Sequence, residues 1–289
     1  MLPEYGSLQP ATLHEALAAL AGAGDLLPVA GGTNVIMVLR AGGYRGKTLM
    51  DVSHLPELRG ISQENGHLVI GGGATAAQLL DSPLLAEQGR PLHQAARVFA
   101  NPLIRNRATV AGNIADASPA ADMIPPLLIL DAEVGLSSAS GSRWVPLEQF
   151  VVDANQTVRQ ADELIVSLRW PCPAPRSVGA FHKLALRKGS ACSVLSVAVR
   201  VQSGGDGRVS QARIAMGALA AKPIRAHQAE DALVGTTLTK EIIEEAAKLA
   251  AESTSPIDDV RGSASYRRRM AGVLTRRLLE EAADELGQE

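Results

Sequence analysis

The chain has 289 residues, of which 46% are apolar and 20% charged, enough to bury the core of two domains or of one large one. A formal net charge of −2 and an aromatic content of 3% argue against nucleic acid, an anionic membrane or an aromatic cage as the main partner. No apolar run reaches the ~18 residues of a spanning helix, and MLPEYGSLQP lacks the basic-then-apolar order of a signal peptide, so the cytoplasm is the expected compartment.

Thr12-Leu13-His14-Glu15 reads as a capping box. Leu13, Ala16, Leu17 and Leu20 then lie on one helical face, and Gly22 and Gly24 end the helix. Leu26 to Ala30 predicts a short buried strand broken by Gly31-Gly32, with Asn34 as cap of a helix Val35 to Arg40. Such a turn holds anions at a helix N-terminus. Thr48 to Val52 predicts a strand, and Asn65-Gly66 predicts a hairpin between Arg59–Ser62 and His67–Ile70. Gly71-Gly72-Gly73 leads to Thr75, a predicted helix cap, and residues 84–100 predict one helix. Glu133 to Leu136, Arg143 to Pro146 and Glu163 to Trp170 predict strands, and the proline cluster Pro171-Cys172-Pro173-Ala174-Pro175 predicts a domain boundary.

Beyond it come three predicted strands, Ala180 to Arg187, Val194 to Gln202 and Val209 to Ala218, with Ser203–Gly207 as a hairpin loop. Two helices follow. In the last, Met270, Leu274, Leu278, Ala282 and Leu286 form a buried stripe. Strands followed by helices make this part α+β. The run Arg267-Arg268-Arg269, with Arg276 and Arg277 on the same helix, reads as a solvated face or partner contact.

Two loops carry the candidate chemistry. Gly31-Gly32-Thr33-Asn34 lets backbone approach a ligand closely, and its N–H groups and Thr hydroxyl suit a pyrophosphate. By itself a Gly-Gly pair is a weak signal, and an ordinary βα turn is the commoner explanation. It is neither a GxGxxG fingerprint nor a P-loop. Thr109-Val110-Ala111-Gly112-Asn113 offers a second phosphate or flavin cradle. Asp122, after Ser118-Pro119, either accepts hydrogen bonds from sugar-like hydroxyls or caps a helix starting near Met123. One of His182 and Lys183, adjacent in a strand, faces inward. A buried lysine needs a partner, and an anionic or carbonyl-bearing ligand is one option. The histidines show no metal spacing, and Cys172 and Cys192 form no CxxC. Cys192 falls in a predicted buried strand, and the chain cannot ligate an iron–sulfur cluster by itself.

AGGTN at 30–34, IRNRATVAGNIADASPAAD at 104–122 and FHKLALRK at 181–188 together resemble the FAD-binding medium subunit of the molybdenum hydroxylases. That family includes xanthine dehydrogenase, carbon monoxide dehydrogenase and the nicotine, caffeine and quinoline dehydrogenases. The resemblance covers nearly the whole chain. It implies a vanillyl-alcohol-oxidase (PCMH)-type FAD-binding domain at 1–175, made of two α+β subdomains (about 1–55 and 56–175). A small C-terminal α+β domain at 179–289, a three-stranded antiparallel sheet plus helices, would follow.

By the same resemblance, Pro28, Val29, Ala30, Gly31, Gly32, Thr33, Asn34 and Val35 wrap the FAD pyrophosphate. Thr109, Val110, Ala111, Gly112 and Asn113 supply a second set of contacts. Phe99 and Ile165 pack on the cofactor, Asp122 hydrogen-bonds it with Ser118 as neighbour, and Lys183 lies near the flavin ring, where it tunes the flavin. The implied function is electron transfer from the 2Fe-2S clusters of a small partner through FAD to an external acceptor. Hydroxylation takes place at molybdopterin on a large partner, in a dimer of heterotrimers.

The sequence departs from the family at Arg187-Lys188-Gly189-Ser190-Ala191, which lacks the carboxylate of the NAD-placing loop of xanthine dehydrogenases. A quinone, a cytochrome or oxygen is therefore open as acceptor beside NAD. The cysteine-bearing insertion of the benzoyl-CoA reductase branch is missing. The rival readings are a free-standing FAD oxidoreductase of the same fold and a non-catalytic assembly protein.

Overall fold

Three short strands begin the fold in a parallel sheet, ordered Ser7–Leu8, Thr48–Asp51, Leu26–Val29. The structure, a computed structural model, describes residues 5–22 and 24–288. Parallel neighbours need a crossover: the helix Val35–Arg40 lies in the connection between the neighbours Leu26–Val29 and Thr48–Asp51, and the helix Leu13–Gly22 joins the two outer strands. Thr12 Oγ1 accepts from the Glu15 N–H at 3.2 Å, and Glu15 returns a bond to the Ala11 N–H at 2.7 Å. Ala16 and Leu20 bury into a small core with Met50, Val52, Leu55 and Leu58. The strand Leu26–Val29 ends one residue before the prediction, and the chain turns out at Gly31-Gly32.

The second sheet is antiparallel, ordered Ile61–Glu64, His67–Gly71, Leu164–Pro171, Glu133–Ser138, Gly141–Pro146. Its first hairpin turns at Asn65 and Gly66, both at positive φ (49° and 77°), as a type I′ turn requires. Trp170, Leu68, Ile70 and Leu168 are fully buried in one core with the helices Arg90–Val98, Val110–Asp116 and Ile124–Ile129. The single helix predicted over 84–100 is two, Pro83–Gln88 and Arg90–Val98. Pro91 has no N–H to continue the ladder, and Gly89 lies so close to Leu85 that a Cβ would sit 2.6 Å from Leu85 Cδ2.

The third sheet, also antiparallel, runs Ser177–Ala185, Ser193–Ser203, Val209–Gly217, Ile224–Arg225. It has the three expected strands and a two-residue fourth. The helices Lys240–Glu252 and Ala264–Gln288 cover one face, burying Ile243, Ala246, Leu274, Leu278 and Ala282 against Val197, Val199 and Ile214. Of the predicted stripe only Met270 is partly buried. On the other face Phe181, Ala198 and Ala215 join the core of the five-stranded region. Cover on both faces explains why the strand Ser193–Ser203 reads as a near-continuous apolar run.

Ions bind the two parts together. Asp131 accepts from Arg200 Nη2 at 2.7 Å and Arg213 Nε at 2.8 Å, and Arg90 makes a bidentate pair with Glu285 at 2.6 and 2.8 Å. Two expectations need correction here. Arg267 is buried rather than solvated, because it bonds the Ala218 carbonyl and Asp259. Cys192 is exposed rather than buried, because its strand starts one residue later, at Ser193.

Candidate functional site

A cavity of about 550 Å³ opens where the loop after Leu26–Val29 meets the loop before Val110–Asp116. Every residue from Pro28 to Val35 lines it, with Phe99, Thr109, Ala111, Gly112, Asn113 and Ile165. Thus two segments some eighty residues apart in the chain, both singled out by their glycines, share one space. Gly31 permits the junction: a Cβ there would lie 2.0 Å from the Arg107 carbonyl oxygen. Gly32 adopts φ +68°, a region open to glycine.

The two loops differ in what they leave free. Among the described residues, the backbone N–H groups of Gly31, Gly32, Thr33 and Asn34 donate to no acceptor in the chain. Successive free N–H groups around a concavity form an anion site. In the other loop the N–H groups after Thr109 are committed. Val110 donates to the Ala74 carbonyl at 2.9 Å, Ala111 to Gly72 at 3.1 Å, Gly112 to Thr109 Oγ1 at 3.1 Å and Asn113 to the Thr109 carbonyl at 3.0 Å. Four of the five backbone donors expected from this loop are therefore spent inside the fold, two on Gly72 and Ala74 and two on Thr109. It presents side chains instead: the Thr109 hydroxyl hydrogen, and the amide nitrogen of Asn113, whose oxygen accepts from the Met123 N–H at 3.3 Å.

Four expected site residues do not line the cavity. The Val110 side chain is fully buried in the core. Ser118 Oγ accepts from the Ala120 N–H at 3.3 Å. Asp122 and Lys183 bind each other, Nζ to Oδ2 at 2.6 Å, and Ser193 Oγ donates to Asp122 Oδ1 at 2.6 Å. The inward residue of the His182–Lys183 pair is thus Lys183, its side chain 4% exposed and paired with the Asp122 carboxylate. Asp122 caps no helix: the N-cap of Ile124–Ile129 is Met123, without a side-chain bond. Asn34 does not cap Val35–Arg40 by its side chain either, since its Nδ2 donates to Asp116 Oδ1 across the cavity.

Several lining residues escaped sequence reasoning. Gly72 and Gly73, read as a turn, form part of the wall; a Cβ on Gly72 would lie 2.5 Å from the Ile165 carbonyl oxygen. Asp116, Asn155, Thr157, Arg159 and Glu163 also line the cavity. Burial pushes the Asp116 carboxyl up from its ordinary value, against the Asn34 hydrogen bond. Burial likewise lowers the Arg159 pKa, and its Nη1 donates to the carbonyls of Gln160 and Glu163 at 2.8 and 2.7 Å. Arg143 holds the Glu163 carboxyl below its ordinary value through bonds of 2.6 and 2.9 Å. The wall therefore combines a free-amide nest, apolar surfaces (Phe99, Ile165, Leu164) and one incompletely bonded carboxylate. A diphosphate with a flat apolar group and sugar hydroxyls fits that description.

Comparison with known proteins decides the family. The model of the FAD binding domain in molybdopterin dehydrogenase matches residues 3–173, and that of the CO dehydrogenase flavoprotein C-terminal domain matches residues 180–282. The chain belongs to the FAD-binding subunits of the molybdopterin dehydrogenases. Among these subunits, it is 31% identical to the carbon monoxide dehydrogenase medium chain of Hydrogenophaga pseudoflava over 97% of both chains. It is also 31% identical to the xanthine dehydrogenase FAD-binding subunit of Escherichia coli O157:H7, over 96% of this chain and 95% of that one. The fold agrees closely with a solved structure of the Hydrogenophaga pseudoflava carbon monoxide dehydrogenase lacking the Mo-pyranopterin moiety of its cofactor. The TM-score is 0.94 at 32% identity, covering 99% of each chain. The α+β architecture, an FAD-binding domain followed by a C-terminal domain of antiparallel sheet and helices, is that of these flavoprotein subunits.

Proposed function

We infer that this chain is the FAD-carrying electron-transfer subunit of a heterotrimeric molybdopterin and iron–sulfur dehydrogenase. The observation that carries the reading is the row of free N–H groups from Gly31 to Asn34 in the cavity wall. Those groups, with the Thr33 and Thr109 hydroxyls and the Asn113 amide, would hold the FAD diphosphate. Phe99 and Ile165 would pack on its rings. When bound, the flavin supplies the redox chemistry, taking electrons and passing them on; the protein positions it. Asp122, Lys183 and Ser193 would lock the C-terminal sheet against the FAD-binding part and so fix the wall nearest the flavin.

We propose domain limits of 1–175 and 179–289, with subdomains about 1–55 and 56–175; the first two sheets fall within the two subdomains, and the third begins at Ser177, two residues before the second limit. The partners would be a large molybdopterin subunit and a small 2Fe-2S subunit in a dimer of heterotrimers. The chain's two cysteines supply too few thiolates for a cluster, so electrons must arrive from clusters held elsewhere. Both cysteines are free, as in a reducing cytoplasm. The loop Arg187–Ala191 holds no carboxylate, which favours an acceptor other than NAD: a quinone, a cytochrome or oxygen.

The test is an inventory of the chain drawn from its native host. Flavin, iron and molybdenum with two co-purifying chains are expected. Flavin alone, without partners, would instead make it a free-standing FAD oxidoreductase.

A further inference from the structure

Two carboxylates face the cavity, Glu163 and Asp116. Glu163 is fully engaged: Arg143 donates to it at 2.6 and 2.9 Å and the Gln160 N–H at 2.8 Å. Asp116 is not. Its Oδ1 accepts from Asn34 Nδ2, and among the described residues no donor reaches its Oδ2. The carboxylate is held in place all the same. Asn155 Nδ2 donates to the Asp116 carbonyl at 2.8 Å, the Asn155 N–H donates to the Ala117 carbonyl at 2.9 Å, and Ala117 turns the chain at φ +46°. Asp116 is half-buried, and burial raises its pKa against the pull of the Asn34 hydrogen bond.

The position of this oxygen restricts what can fill the cavity. Asn34 contributes a free backbone N–H to the nest and, through its side chain, grips Asp116. The carboxylate therefore stands one side chain from the place that suits a diphosphate. Phosphate oxygens beside it would repel it. A neutral hydroxyl would satisfy it, with a charge-assisted hydrogen bond. In a diphosphate-linked cofactor, sugar hydroxyls lie next to the phosphates on both sides.

We propose that Asp116 is the hydroxyl acceptor of the site: its free oxygen takes a hydrogen bond from a sugar hydroxyl flanking the diphosphate, and it bars ligands phosphorylated at that hydroxyl. This rests on the FAD reading. The hydroxyl belongs either to the ribose of the adenosine half or to the ribityl chain of the flavin half, and the test separates the two.

The full chain, stripped of flavin, is titrated by calorimetry with FAD, ADP and 2′,3′-dideoxy-ADP, which lacks both ribose hydroxyls, as wild type, D116A and the near-isosteric D116N. Loss of a charge-assisted bond should weaken FAD binding by about tenfold or more in D116A, with D116N intermediate. If the wild type prefers ADP to 2′,3′-dideoxy-ADP and D116A does not, the hydroxyl is the ribose's. If FAD binding falls while ADP binding is unchanged, it is the ribityl chain's. Either result upholds the proposal. FAD affinity unchanged or tightened in both variants would overturn it, as would an equal loss for all three ligands, since Asp116 would then merely brace Asn34. Should D116A fail to fold, D116N with an unchanged melting temperature must still weaken FAD. A wild-type chain that binds neither FAD nor ADP would defeat the FAD reading itself, a distinct result.

Discussion

Lys183 Nζ lies 2.6 Å from Asp122 Oδ2, with both side chains less than a tenth exposed. The pair joins the first strand of the C-terminal sheet to the turn after the helix Val110–Asp116, and Ser193 completes it from the neighbouring strand at 2.6 Å. Lys183→Met would leave a buried carboxylate with only a hydroxyl donor. Removing one partner of a buried pair costs about 3–5 kcal/mol, so the variant should unfold at markedly lower urea concentration. The double variant Lys183→Met/Asp122→Asn should recover much of the loss. If the single variant is as stable as the wild type, the pair does not clamp the two parts.

Gly31 and Gly32 should fail by different routes and by different amounts. In Gly31→Ala the new Cβ meets the Arg107 carbonyl oxygen at 2.0 Å, so the two cavity walls must part. Gly32→Ala meets nothing closer than 3.6 Å but must hold φ +68°, which costs about 1–2 kcal/mol. We expect flavin content per chain to fall further in Gly31→Ala than in Gly32→Ala. The opposite order would mean that the close approach of the loops is not what shapes the site.

Acid should weaken the fold through named carboxylates. Arg261, with Arg267, holds Asp259 well below the usual carboxylate range; Arg143 does the same for Glu163 and Arg90 for Glu285, less strongly. Each titrates lower folded than unfolded. Its stabilisation is complete above the unfolded pKa of about 4 and is lost as pH falls through the folded value. Asp116 runs the other way: its raised pKa makes the flavin-free fold slightly less stable as pH rises. Melting temperature should therefore drop steeply below about pH 4. In Asp259→Asn that slope should be shallower, and an unchanged slope would show that Asp259 takes no part.

Arg225 bridges the fourth strand of the C-terminal sheet to the buried Glu230, Nε to Oε1 at 2.9 Å, and to Glu148 at 3.3 Å. Glu230 also accepts from the Ile214 N–H at 2.9 Å. Arg225→Met should destabilise the chain by about 3 kcal/mol, the low end for breaking a buried pair, because the Ile214 and His227 contacts remain. Denaturant unfolding with no shift in midpoint would contradict this.

Much of the site was legible where a residue type has few uses. Gly31-Gly32 and Thr109–Asn113 announce close backbone approach, and both do line the cavity. Asn34 was legible only by half: a short amide beside a helix suits a cap, yet this one reaches Asp116, and such a long-range partner leaves no local pattern. Asp116 comes from one segment and Asn155 and Arg159 from another, so only folding assembles them. The spent N–H groups of Val110 and Ala111 likewise depend on carbonyls of Ala74 and Gly72, far off in the chain. The helix break at Gly89-Arg90-Pro91 did carry a local signal, since proline favours the first helical turn.

If the free N–H groups of Gly31 to Asn34 hold the diphosphate of FAD, as we propose, affinity should depend on that diphosphate. The flavin-free full chain should be titrated with FAD and with FMN, which has the same ring system but no diphosphate, and followed by flavin fluorescence. We expect FAD to bind one per chain and FMN to bind ~100-fold more weakly or worse, a difference of about 2.7 kcal/mol. Equal affinity for the two flavins would contradict the account, because the nest would then contribute nothing to holding the cofactor.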